Sequence, residues 1–105
     1  MSGASEDAIF VIFGNAVAHG AQDRRQGARH RLLLLIRAAS LDSAATRASI
    51  VALQYGYQHL TMEKGDRLDI TADEAEQDYL KSAISTAEQN GQAIIVYDEE
   101  LPPNA

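Results

Sequence analysis

Three short segments of the chain are apolar at every position and dominate its hydrophobic pattern. They span residues 9–13, 32–36 and 93–97. Apolar runs of this length between turn residues predict strands that are buried on both faces of a sheet. The rest of the chain predicts two helices, enough to cover one face. We therefore expect a second copy of the chain to cover the other face, which makes a homodimer the predicted assembly.

Apolar residues recur at helical spacing in two later segments, residues 41–55 and 72–87. The first has small side chains on its apolar side, and the second has a stripe of Ala, Tyr, Leu and Ile. Helix start and stop signals flank both segments. These are Ser40 or Asp42 and Gly56 for the first helix, and the Thr71–Glu74 capping box and Gly91 for the second.

Between the two helices, polar and apolar residues alternate in two short runs. Residues 60–62 and 68–70 each show the two-residue period of a half-buried strand, and Lys64-Gly65-Asp66 between them is typical of a turn. The pattern therefore predicts a tight hairpin at this point.

From residue 31 onward the predicted order is strand, helix, strand, strand, helix, strand. This order resembles the ferredoxin-like βαββαβ arrangement. The resemblance implies an α+β sandwich over about residues 31–97, with both helices on one face of an antiparallel sheet. It also implies that residues 32–36 form a central strand and residues 93–97 an edge strand. The additional N-terminal strand, residues 8–13, is predicted to cover that edge, in the same subunit or in a partner.

The length of 105 residues predicts one domain. Gly14 and Asn15 are expected to bend or end the first strand, and residues 19–30 to form a flexible, arginine-rich loop. We expect residues 1–7 and 98–105 to fray, because the latter segment is acidic and contains Pro102-Pro103.

Composition excludes disulfide bonds, thiolate metal sites and thiol catalysis, all of which need cysteine. The chain has no cysteine, and its net charge of −6 disfavours general binding to nucleic acid or to a membrane surface. No apolar run is long enough to span a bilayer and no targeting segment is visible, so a cytoplasmic protein is expected.

Charge is divided along the chain, with a basic segment at residues 24–37 and an acidic one at residues 63–78. These are solvated surfaces or complementary patches that meet within or between subunits.

No catalytic, metal-binding or phosphate-binding spacing is present, so no cofactor and no metal are predicted. The candidate site residues are instead chosen by residue type and by predicted position on the open sheet face or in the basic loop. His59 is the preferred histidine, because a strand position would place it beside Tyr57 on the open face. The loop arginines could bind phosphate or carboxylate. The set is His59, Tyr57, Arg67, Arg24, Arg25 and Arg29.

Three functions follow from these observations, and the sequence leaves all three open. The pattern favours a non-catalytic binding or interaction domain that self-associates through its sheet, by stacking faces or by joining edge strands. The alternative is a small enzyme or sensor of a small anionic ligand, with a cleft on the open face. The third is docking of an anion or a nucleic acid at the basic hairpin tip, residues 24–31.

Overall fold

Residues 7–102 are described by a computed structural model, in which four strands form one antiparallel sheet with two α-helices. The strand order is β3-β1-β2-β4. The predicted α+β class is confirmed. The ferredoxin-like order is not confirmed, since the N-terminal strand lies inside the sheet and covers no edge. The elements are β1 (Ala8–Ala18), β2 (Arg29–Ala38), α1 (Leu41–Gln54), β3 (Tyr57–Arg67), a 3₁₀ turn (Ala72–Glu74), α2 (Asp78–Asn90) and β4 (Gln92–Leu101).

The two helices lie on opposite faces of the sheet, so the prediction that both share one face is wrong. On the first face, α1 packs through Ala48 and Val51 against a core that contains Leu34. On the second face, α2 packs through Ile84 and Ala87 against a core that contains Leu35. Neighbouring residues of a strand point to opposite faces. The chain therefore covers both apolar faces of β2 itself, so the apolar character of this strand does not require a second copy.

The chain connections explain this arrangement. Strands β2 and β3 run in the same direction with β1 between them, so their connection crosses the sheet and carries α1 over the first face. Strands β3 and β4 lie at opposite edges, and the connection between them carries α2 over the second face. The central position of β2 and the edge position of β4 agree with the sequence prediction.

The predicted hairpin over residues 60–70 is wrong, because residues 60–67 continue one strand, β3, and residues 68–70 form no strand. Gly65 pairs with Ile12 inside the sheet and does not form a turn. A Cβ atom at Gly65 would lie 3.0 Å from a methyl group of Leu41 and 3.4 Å from one of Ile12. The glycine is therefore explained by close packing between the start of α1 and the sheet.

The signals that flank the helices are only partly correct. Ser40 caps α1, because its hydroxyl oxygen accepts a hydrogen bond from the Ser43 N–H at 3.1 Å. Gly91 ends α2 in a left-handed conformation, as predicted. The Thr71–Glu74 capping box forms but opens the 3₁₀ turn, and α2 begins later. The intervening Ala75 is extended and buried against the second-face core, which requires the chain to leave the helical path.

Strands β1 and β4 both extend beyond their apolar runs. β1 continues through Gly14, where the sequence predicted a bend or an end, and β4 continues through Leu101. β1 and β2 form the predicted long hairpin, joined by residues 19–28. The predictions for residues 1–6 and 103–105 concern positions outside the described residues.

Candidate functional site

The two edges of the sheet differ in how well they resist pairing with another strand. On β3, two register shifts each add one residue to the edge strand, at Glu63 and near His59, where the backbone has a φ of 58°. Such bulges, together with charged side chains, disfavour further strand pairing. β4 has a register shift between Val96 and Glu100, but from Gln92 to Val96 it pairs regularly with β2. That stretch contains no charged residue and no proline.

The pairing between β2 and β4 determines which backbone N–H and C=O groups of β4 point away from the sheet. Residues of an antiparallel strand alternately direct their N–H and C=O groups to one side and to the other. The Arg37 N–H donates to the Gly91 carbonyl at 2.9 Å, so odd-numbered residues of β2 face β4. Their partners Ala93 and Ile95 face back toward β2. Ile94 and Val96 therefore direct their N–H and C=O groups out of the sheet.

Two tyrosines stand on either side of this open edge. Tyr55 follows α1 on the first face, and Tyr79 lies in the first turn of α2 on the second. They are 50% and 49% exposed, which is high for large aromatic side chains. Both line a hollow of about 390 Å³ that also contains Ile94 and Ile95 of β4. The edge is thus an apolar groove with exposed backbone groups along its floor.

Beyond this groove, β4 is tied to the loop between β1 and β2. Arg24 forms an ion pair with Asp98 at 2.8 Å, and Arg25 binds Glu100 through two nitrogens, the shorter distance being 2.8 Å. Hydrogen bonds from Arg25 lower the pKa of Glu100. The loop arginines thus pair with acids of β4 and not with the acidic segment at residues 63–78.

His30 is a buried histidine that the sequence prediction placed in the loop. It lies in β2 and is 1% exposed. Its Nδ1 donates to the Tyr97 carbonyl at 2.9 Å, and its ring meets Tyr57 edge to face at 6.3 Å. Its Nε2 has no hydrogen-bond partner among the described residues. The alternation of His30 with buried Leu32 and Leu34 is the signal that could have identified it as a core residue.

The six predicted site residues do not form one cleft. Tyr57 and Arg24 come together, because Arg24 Nε donates to the Tyr57 hydroxyl at 3.3 Å beside a hollow of about 550 Å³. His59 is exposed at a bulge of β3, and Arg67 lies at the far end of that strand. Arg25 binds Glu100, and Arg29 donates to the Asn15 side chain. The structure therefore does not bring His59, Tyr57 and Arg67 together in one cleft.

Comparison with protein-family models, with curated proteins and with solved structures found no match. Among residues 7–102, no group of three or more histidine or carboxylate side chains is arranged to hold a metal ion. No helix in the same part of the chain has both the length and the apolar character needed to cross a membrane.

Proposed function

We propose that the protein is a non-catalytic interaction domain that self-associates through the edge of β4. The observation that carries this proposal is the asymmetry between the sheet edges, since β3 is bulged and charged whereas β4 pairs regularly and carries no charge from Gln92 to Val96. An unprotected edge of this kind is a template for another strand. The occupant is a second copy of the chain, which presents the same unpaired backbone groups.

The charge distribution favours an antiparallel pair centred near Ile95. In that register Ile94 of one copy exchanges hydrogen bonds with Val96 of the second copy. Asp98 of each copy then lies toward the end of the second copy that carries the neutral Gln92. The two Asp98 residues are separated by six strand residues, roughly 20 Å, and do not lie side by side. A parallel pair would place the acidic residues 98–100 of both copies side by side and is disfavoured by repulsion.

The tyrosines beside the groove supply the apolar part of this interface. A strand added to β4 would cover the exposed faces of Tyr55 and Tyr79 together with Ile94 and Ile95. Stacking of the second faces is a weaker source of dimers, because α2 already covers Leu35 and Ala93 there. The interface is small, and a total buried area below about 1,200 Å² corresponds to a weak complex. We therefore expect a concentration-dependent dimer.

Sedimentation equilibrium over a range of concentrations tests this proposal. The wild-type chain should approach twice its mass of 11.4 kDa. Val96→Pro removes an outward N–H without touching the ladder to β2, so this variant should stay monomeric with unchanged circular dichroism. The matched Val96→Thr variant retains the N–H and should still dimerise.

A second pair of variants keeps the test informative if Val96→Pro does not fold. Tyr79→Glu places a charge at the groove and should prevent dimerisation, whereas Ile50→Glu changes an equally exposed residue that does not line the groove. A wild-type chain that is monomeric at every concentration would overturn the proposal. A dimer that tolerates both Val96→Pro and Tyr79→Glu would overturn it too, and would indicate the second face as the interface.

A further inference from the structure

The second face of the sheet is covered by α2 over only part of its length. Beyond the helix, the aromatic rings of Phe13 and Tyr97 lie 6.4 Å apart at an angle of 57°. Beside them is a hollow of about 470 Å³. Its lining combines apolar side chains with charges of both signs: Phe13, Tyr97, Leu101, Arg31, Asp98 and Glu99.

Arg31 differs from the other arginines near it. Five other arginine side chains donate hydrogen bonds within the protein, namely Arg24, Arg25, Arg29, Arg37 and Arg47. Within residues 7–102, the Arg31 guanidinium forms neither a hydrogen bond nor an ion pair, and the residue is exposed. A free guanidinium beside two aromatic rings is suited to a carboxylate with an apolar substituent.

The acidic residues of the hollow restrict the ligand further. Asp98 is paired with Arg24, which leaves Glu99 as the carboxylate of the lining without an ion pair among the described residues. A simple anion would meet repulsion from Glu99, and a simple cation would meet repulsion from Arg31. A ligand with both charges satisfies both groups. Burial and the neighbouring Tyr79 raise the pKa of Tyr97, so its phenol is neutral at physiological pH.

We propose that this hollow binds a small zwitterion with an apolar side chain, the chemistry of an aromatic or branched α-amino acid. The ligand carboxylate binds Arg31, the ammonium group faces Glu99, and the side chain packs on Phe13, Tyr97 and Leu101. The hollow is large enough for a molecule of this size. Ile94 and Val96, whose outward N–H and C=O groups are proposed to join two copies, do not line the hollow, although Tyr97 and Asp98 of the same strand do.

Isothermal titration calorimetry with L-phenylalanine as the probe tests the site. We expect saturable binding that weakens at least about tenfold in Arg31→Gln, since hydrogen bonds to charged groups contribute about 1.5–3 kcal/mol. Glu99→Gln should also weaken binding. Lys81→Gln, an exposed cation of α2 outside the hollow, is the matched control and should bind as wild type.

Two analogues of phenylalanine, each of which lacks one of its charged groups, test the contribution of each charge to binding. 3-Phenylpropionate lacks the ammonium group and 2-phenylethylamine lacks the carboxylate, so both should bind more weakly than phenylalanine. Absence of saturable phenylalanine binding at millimolar concentrations would overturn the proposal, as would unchanged affinity in Arg31→Gln. Equal binding of 3-phenylpropionate would overturn the role of Glu99 and the zwitterionic class.

Discussion

Substitution of Gly14 by alanine is the most direct perturbation of the sheet. Gly14 lies in β1 at the point where β3 carries its first extra residue, and the β3 backbone approaches closely there. A Cβ atom at this position would lie 2.2 Å from the Thr61 carbonyl oxygen and 3.1 Å from the Met62 Cα. Because the obstacle is backbone and not a flexible side chain, β3 must move away from β1.

The expected cost follows from overpacking. Adding a methyl group to a packed site costs about 1–3 kcal/mol, and the upper end applies when the backbone must shift. With a slope of roughly 1–3 kcal/mol per molar urea, a loss of about 3 kcal/mol lowers the midpoint of unfolding by about 1–3 M. The assay is urea unfolding followed by circular dichroism at one fixed protein concentration, because self-association also contributes to stability.

Gly20→Ala is the control, because it makes the same glycine-to-alanine change at a position where the added methyl group meets no steric obstacle. Gly20 has a φ of 93°, but the space beside it is open, and apart from its two chain neighbours no residue has an atom within 4 Å of a methyl group added there. Its cost should therefore be the conformational one, about 1–2 kcal/mol. If Gly14→Ala is no more destabilising than Gly20→Ala, the close approach of β1 and β3 is wrong.

Three further predictions concern the core, a cap and an ion pair. Leu35→Ala in the second-face core should cost about 2–5 kcal/mol in urea unfolding, while Leu53→Ala, 59% exposed, should change stability by less than about 0.5 kcal/mol. Ser40→Ala removes the cap of α1 and should cost about 1 kcal/mol in the same assay. Arg25 lowers the pKa of Glu100, so the ion pair stabilises the folded state. This stabilisation is fully present above the ordinary glutamate pKa of about 4.3. It is lost as the pH falls through the lowered pKa of Glu100, where the carboxylate becomes protonated. Arg25→Gln should raise the pKa of Glu100 in an NMR titration, and an unchanged value would contradict the pairing.

The sequence predicted the existence of most elements better than their arrangement. The runs at residues 9–13, 32–36 and 93–97 are strands because they are apolar throughout, and Ser40 and Gly91 mark real helix ends. A strand that is apolar on both faces requires cover on both sides. The pattern does not distinguish one helix on each face from two helices on one face with a second copy on the other.

The candidate site was less predictable because its contacts join distant parts of the chain. Arg25 and Glu100 are 75 residues apart, and the Arg24–Tyr57 contact depends on how the loop folds over β3. Gly65 was interpreted as a turn because glycine has the same local signature in a turn and in a tightly packed strand. The sequence prediction placed His30 in the loop, although its spacing of two and four residues from Leu32 and Leu34 is compatible with a core position in the same strand.

The self-association proposed for β4 is tested most directly by amide hydrogen exchange of its residues at two protein concentrations. Ala93 and Ile95 donate to β2 within one chain and should be protected at both concentrations. Ile94 and Val96 point out of the sheet, so they should exchange rapidly when dilute and become protected when concentrated. Rapid exchange of Ile94 and Val96 at every concentration would contradict pairing of the β4 edges.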